Sequence, residues 1–474
     1  MTRNDCLQNE WKSPQEVISQ LIDSCSDIKA IIIPSGEGKH VSSVHLVYCE
    51  GLCDGTKVEQ CIISQLKKIS EQVFIETDIQ LQQHVPFHMN TLQIDQFEKS
   101  IVDTVLNGDL LLLFVPSNKL YSVKLSNPPK RQPEEPNTEI SVRGPKDGFT
   151  EESLINIALI RKRLKTKFLA VEDYTIGEQT ATKVNLLYLK NIIEPAVLQE
   201  VKTKLSNLQV EGLVSSSQLE ESLAGFSLFP LFSYTGRPDF AVNCLLHGKF
   251  VLIVDGSPTV IMAPVNFNFL LNTSEDAFMV NVFVSFTRLL RISGVVISLF
   301  LPGFWVALVT FHQDQLPFTL LATVVTSRQG VPLSVPIEAI TMLFLFEIFR
   351  EAGMRLPTAF GQTLSVVGGL IIGQAAVSAG IATPGIIVIN AISVLANFTL
   401  VNHSLITIVS LMRIVVLFIS GSFGLYGMLI CLLVFILYFV NLRSFSMYYM
   451  TPFSPFDFQR IYKMLFRMPW GRIK

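Results

Sequence analysis

Charge is what this sequence lacks. Only 16% of its 474 residues are Asp, Glu, Lys or Arg, against roughly 25% in ordinary soluble domains. The shortage is local: residues 356–412 contain none of the four. A soluble domain does not keep so long a run free of charged positions facing water. Cysteine is also sparse. The seven present are an odd number, all but Cys431 precede residue 270, and no framework spacing links them. That excludes a disulfide-stapled scaffold and predicts reduced thiols on the cytosolic side of a membrane. The opening MTRNDCLQNEWKS lacks the apolar core of a secretory signal peptide. A formal net charge of −2 supplies no general pull toward nucleic acid, so none is expected as a partner.

Motifs that carry chemistry are equally scarce. Gly36-Glu37-Gly38-Lys39-His40 has neither the spacing nor the Ser/Thr of a phosphate-binding loop. His84 and His88 are separated by Pro86, which argues against a shared helical face. Cys49 and Cys53 have no second pair to complete a metal site. No Ser/His/Asp set or paired carboxylates stand out, so neither an enzyme nor a bound cofactor or metal is expected.

What is present divides the chain. Residues 1–127 alternate helical patterns (14–22, 57–69, 94–106) with apolar strand-like runs (30–33, 44–48, 110–115), the signature of an α/β subdomain. Residues 128–136 read PPKRQPEEP, a linker that can continue neither a helix nor a central strand. A second α/β subdomain is predicted over 137–270, with helices over about 151–166 and 195–206 and a hairpin around Asp255-Gly256-Ser257-Pro258. From 288 to 443 the expectation is an all-α transmembrane domain of about five or six spans, followed by a basic cytoplasmic tail over 444–474. Residues 292–311 have the length of one crossing. Residues 316–326 are too short for one and suit a re-entrant segment. Breaks are expected near Thr383-Pro384-Gly385, Asn402-His403 and Gly421. Arg288 and Arg291 before the first span, and the Lys/Arg of the tail, predict cytoplasmic N- and C-termini.

The stretch 355–384 stands out inside the uncharged run. Ser365, Gly369, Gly373, Ala376 and Gly380 recur at helical spacing, a small-residue face that lets another helix backbone approach closely. Gln362 and Gln374 share the segment. With Glu338 they are the candidates for a pore or gating position. Glu338 competes between that role and a helix-start role, because it follows Pro336 in a first turn. Glu347, Arg350 and Arg413 are candidates for an intramembrane ion pair, since ionisable groups in a span are paired or functional. From these residues alone a stand-alone secondary transporter of a small solute or ion competes as a reading, although no internal repeat is visible.

Five motifs in order point to a family. They are Ser141-Val142-Arg143-Gly144-Pro145 with Gly148-Phe149-Thr150-Glu151; Arg237-Pro238-Asp239; Val254-Asp255-Gly256-Ser257-Pro258; Phe349-Arg350-Glu351-Ala352-Gly353-Met354-Arg355-Leu356-Pro357; and Gly368-Gly369-Leu370-Ile371-Ile372-Gly373-Gln374-Ala375-Ala376-Val377. Together they resemble the A subunit of the GerA-type spore germinant receptors, from about residue 140 to the end and more loosely before it. One departure is Gly236, where the family usually carries an acid before Arg-Pro-Asp. The resemblance implies a multi-pass protein of the inner endospore membrane. It implies partners in a transporter-like B subunit, a lipoprotein C subunit and membrane lipid. It also implies homo-oligomerisation into a nutrient-gated monovalent cation channel that starts germination.

Overall fold

The structure is a computed structural model that describes residues 13–35, 42–72, 85, 87–92, 97–115, 118–129, 143–225, 227–355, 373–454 and 456–466. The chain divides into two units: residues 1–226 with 232–264, and residues 227–231 with 265–474.

The first unit holds two five-stranded sheets. Helix α1 (Pro14–Ser24) starts where the Ser13 hydroxyl accepts from the Glu16 amide, with Pro in its first turn. Strands β1 (Ile28–Ser35) and β2 (Ser42–Cys49) follow. Helix α2 (Gly55–Lys57) runs through a π-helical turn, Val58–Ile63, into α3 (Ser64–Gln72). Next come β3 (Asn90–Thr91), α4 (Phe97–Leu106), β4 (Leu110–Phe114) and β5 (Lys119–Val123). The second half repeats the plan. It runs α5 (Ser153–Arg163), β6 (Leu169–Ile176), β7 (Thr182–Leu189), α6 (Pro195–Ser206), α7 (Ser216–Ala224), β8 (Ser233–Thr235), α8 (Pro238–Leu246), β9 (Phe250–Val254) and β10 (Val260–Ala263). The sheet orders are β1-β2-β4-β5-β3 and β6-β7-β9-β10-β8. Each therefore runs first, second, fourth, fifth, third, and every neighbouring pair is antiparallel. This duplication is invisible in the sequence, because a sheet order is a set of long-range pairings.

The halves are not joined only by a linker, most of which lies outside the described residues. Ser26 N donates to Val171 O at 3.0 Å, so the approach to β1 runs beside β6. Ala158 of α5 belongs to the core formed by α1, α4 and their strands. Beside it, Arg161 grips Asp27 at the foot of β1 with two bonds, Nε to Oδ2 at 2.8 Å and Nη2 to Oδ1 at 2.9 Å. Both side chains are only 1% exposed. Burial alone would depress the guanidinium, but Asp27 outweighs it and holds the Arg161 pKa above its usual value. Burial also pushes the neighbouring Cys25 and Cys49 thiols up, and takes Cys53 up to about 12 against an opposing backbone hydrogen bond from Asp54. These thiols stay protonated at neutral pH.

Three of the sequence motifs meet in the second half. Asp255 Oδ1 accepts from the Ser153 amide at 3.0 Å, and the Gly256 amide donates to Glu151 O at 2.7 Å. The hairpin loop thus caps α5 from a distance, which places a carboxylate at the positive end of that helix. Gly256 takes φ 82 in that turn. The Phe149 amide donates to Gly236 O at 2.8 Å, and the buried Arg237 makes a two-point pair with Asp239.

The second unit begins with α9 (Phe267–Leu270) and a 3-10 turn, Ser274–Ala277, whose Thr273 and Asp276 form a capping box. Asp276 then receives Arg291 at 2.8 and 2.9 Å. Burial would raise its carboxyl, but the Arg291 and Thr273 hydrogen bonds prevail and lower it. The helices are α10 (Asn281–Phe311), α11 (Phe318–Ser327), α12 (Val335–Arg355), α13 (Gly373–Ser378), α14 (Pro384–Asn397), α15 (His403–Asn441) and, after the strand pair β11 (Arg443–Ser444) and β12 (Met447–Tyr448), α16 (Phe458–Leu465). Among the described residues, α10 and α15 are long and apolar enough to cross a membrane. α10 contains the expected crossing 292–311 and extends back to Asn281, with Arg291 held by Asp276.

α15 is two helices. At 39 residues it would run to about 58 Å if straight, roughly twice an apolar bilayer core. Instead Gly424 leaves helical geometry at φ 64 and ψ −150, three residues beyond the break expected at Gly421. A Cβ on Gly427 would stand 2.7 Å from Ile419 O, so the chain folds back there. Cys431 and Phe435 accordingly pack into one core with Leu405, Val409 and Met412.

Asp27→Ala leaves Arg161 charged and buried without a partner, which costs about 3–5 kcal/mol. Urea unfolding of a fragment spanning residues 1–264 should show that loss, with most of it recovered in the double variant carrying Arg161→Met. Additive single-variant losses would mean the pair does not join the two halves.

Candidate functional site

The helices of the second unit approach through small residues. A Cβ on Gly294 of α10 would collide with the Thr399 hydroxyl and stand 2.9 Å from Ala396 O. On Gly303 it would meet Ser420 Oγ at 2.9 Å, and on Gly421 it would meet Pro336 Cβ at 2.8 Å. α10 therefore runs alongside the first half of α15, and α14 and α12 run against them. At such distances polar side chains reach across, and a buried seam results. The Ser393 hydroxyl donates to Ser298 O at 2.8 Å, and Asn390 Nδ2 donates to Ala339 O at 3.2 Å. Asn397 Nδ2 reaches Ser410 Oγ at 2.9 Å. Ser298, Asn390, Ser393, Asn397, Ser410 and Ser420 are all buried. Among the described residues, the Ser298 and Ser420 hydroxyls and Asn397 Oδ1 have no hydrogen-bond partner.

Two charge clusters sit on this seam. At one end Glu338, fully buried, accepts from Thr383 Oγ1 at 2.6 Å and from the Thr383 amide. Arg328 Nη1 reaches its other oxygen at 3.3 Å. Thr383 is the N-cap of α14, so Glu338 serves the start of α14 across the bundle as well as lying in the first turn of α12. Toward the other end Glu347 holds two arginines, Arg413 Nη2 at 2.6 Å and Arg350 Nη2 at 2.8 Å. Arg413, 1% exposed, also donates to Ser393 Oγ at 3.1 Å, and Arg350 donates to Ser410 Oγ at 2.8 Å. The spacing of Glu347 and Arg350 was readable along one helix. The arrival of Arg413 from α15 was not, because it depends on which helix packs there.

The small-residue ladder requires correction. Ser365, Gly369 and Gln362 lie outside the described residues. Gly373 opens α13, and a Cβ there meets nothing within 4 Å among the described residues. Ala376 is buried against Met342 and Ala382, while Gln374 is exposed. Gly380 is not on the helical face at all. α13 ends at Ser378, Gly380 takes φ 67, and the Ile381 amide returns to Ala376 O at 2.9 Å. It is a helix-stopping glycine, used for its left-handed backbone. The glycines that do permit close approach, Gly294, Gly303 and Gly421, were missed because they fall on three contacts between different helices, with no single periodic run. Gly294 and Gly303 are nine residues apart, which sets them on opposite faces of α10, so no stripe in the sequence marked them.

The family model described as Bacillus/Clostridium GerA spore germination protein matches residues 16–474. The chain is 44% identical to spore germination protein XA of Bacillus anthracis, over 97% of this chain and 94% of that protein. It is 33% identical to spore germination protein KA of Bacillus subtilis (strain 168), over 95% of this chain and 82% of that one. The solved N-terminal domain of the A subunit of the Bacillus megaterium spore germinant receptor GerK3 aligns with a TM-score of 0.40 at 24% identity, over 53% of this chain and 93% of that one.

Two substitutions separate packing from passive positions. Gly303→Leu drives a side chain into Ser420 and Val416 and should sharply reduce the amount of folded protein recovered in detergent. Gly373→Leu should leave recovery near wild type. Equal recovery for both would remove the close contact of α10 with α15. Separately, Glu347→Gln leaves Arg413 uncompensated and should cost about 3–5 kcal/mol, read as a lowered thermal midpoint. Glu351→Gln, on an exposed pair with Arg355, should change it little.

Proposed function

The chain belongs to the Bacillus/Clostridium GerA spore germination protein family, and on that premise we propose that it is the A subunit of a nutrient-responsive germinant receptor. It works as a multi-pass protein of the inner spore membrane, with a transporter-like B subunit and a lipoprotein C subunit. Copies of it oligomerise into a ligand-gated channel for monovalent cations. The observation that carries the reading is a family match that runs through both units with nearly full-length relatives.

The geometry supports a membrane role in two ways. Large apolar side chains such as Phe304, Leu395, Phe418 and Leu433 are exposed on the helices of the second unit, as lipid contact requires. Arg288, Arg291, Arg350, Arg355 and Arg443 all lie toward the end of the bundle where α10 begins and α15 ends, which favours cytoplasmic N- and C-termini. The buried seam supports gating. It is polar enough to be rearranged, and among the described residues it leaves the Ser298 and Ser420 hydroxyls and Asn397 Oδ1 without partners. Gln374, exposed on a single chain, and Gln362 are the lining candidates in an oligomer. Glu338 is the coupling candidate, since it ties α12 to the start of α14.

The test is potassium release from liposomes that hold this chain, with and without its B-type partner, when nutrient is added. Release that needs both proteins and the nutrient is expected. In the same assay Glu338→Gln should alter release while assembly persists. Release carried by the partner without this chain would overturn the channel reading.

A further inference from the structure

We infer that the Arg350–Arg413 cluster is a binding site for one small monovalent anion, a halide or a free carboxylate. This does not depend on the receptor reading. The cluster sets two guanidiniums against one carboxylate. Glu347 gives one oxygen to each arginine, so both of its oxygens are engaged and one positive charge is left over. Three donors crowd a single hydroxyl, because Ser410 Oγ lies 2.8 Å from Arg350 Nη1, 2.9 Å from Asn397 Nδ2 and 3.5 Å from Arg413 Nη2. Two further donors, Arg350 Nε and Arg413 Nε, are buried with no partner among the described residues.

Among the described residues, no acid of this unit other than Glu347 pairs with Arg350 or Arg413. Residues 356–442 contain none. Asp276 is taken by Arg291, Glu338 by Arg328 and Glu351 by Arg355. Asp314 follows α10 at the far end of the bundle. An unbalanced guanidinium in an apolar bundle is strongly disfavoured, and a charge-assisted anion offsets that cost. Access is on the Glu347 and Arg350 side, whose side chains are 19% and 22% exposed, while Arg413 at 1% forms the floor.

The test uses the full-length protein in detergent, its thermal midpoint measured as sodium chloride, sodium acetate or sodium HEPES, a bulky sulfonate, is raised at matched ionic strength. A saturable rise is expected in chloride, in acetate or in both, and not in HEPES. Chloride alone identifies a halide site and acetate alone a carboxylate site. Arg350→Gln leaves Glu347 and Arg413 as a neutral pair, and its half-saturation should be at least about tenfold weaker. Arg355→Gln, the exposed control, should titrate as wild type. Identical curves in all three salts, or an unchanged titration in Arg350→Gln, would overturn the site. If Arg350→Gln does not fold, the wild-type salt comparison still decides.

Discussion

A guanidinium cut off from water must find a carboxylate, and four such pairings hold this protein together. Arg161 with Asp27 joins the two sheets of the first unit. Arg237 with Asp239 pins the start of α8. Arg291 with Asp276 fixes the entry to α10, and Arg413 with Glu347 ties α15 to α12. Each adds little net stability against a well-packed apolar alternative, but each penalises heavily any packing that separates the partners. Three of them specify which element lies against which, while Arg237 and Asp239, two residues apart, order only the start of α8. The Glu347 cluster differs from the others in holding one carboxylate for two arginines.

Close helix approach is the second constraint, and it depends on the absence of side chains. Gly294, Gly303 and Gly421 bring backbones near enough for Ser298, Ser393, Asn397 and Ser410 to bond across the bundle. Van der Waals contact and interhelical hydrogen bonds then hold the helices at that distance. The polar seam and the glycine contacts are therefore one device. It also explains why the seam carries unpaired polar atoms, since a tight bundle leaves few orientations in which every hydroxyl finds a partner.

The family motifs acquire physical content in the first unit. Asp255 and Gly256 hold the start of α5, and α5 carries Arg161 to Asp27. A hairpin loop late in the second half thus positions the residue that clamps the first half. Gly236, the departure from the family pattern, contributes its carbonyl to Phe149, a contact that any residue there can make.

Local features were legible in the sequence because they are written in neighbouring residues. The split into an α/β part and an apolar helical part follows from where charge is missing. The hairpin at Asp255-Gly256, the starts of α14 and α15, and the Glu347–Arg350 spacing all depend on a few consecutive positions. What only the tertiary structure decided are pairings between distant residues: the duplicated sheet order, the clamp between Asp27 and Arg161, the delivery of Arg413 to Glu347, and Glu338 reaching Thr383. The reversal at Gly424 and the stop at Gly380 belong with them. A glycine in an apolar run can serve contact, turn or cap, and the choice rests on which neighbour the rest of the chain brings to it.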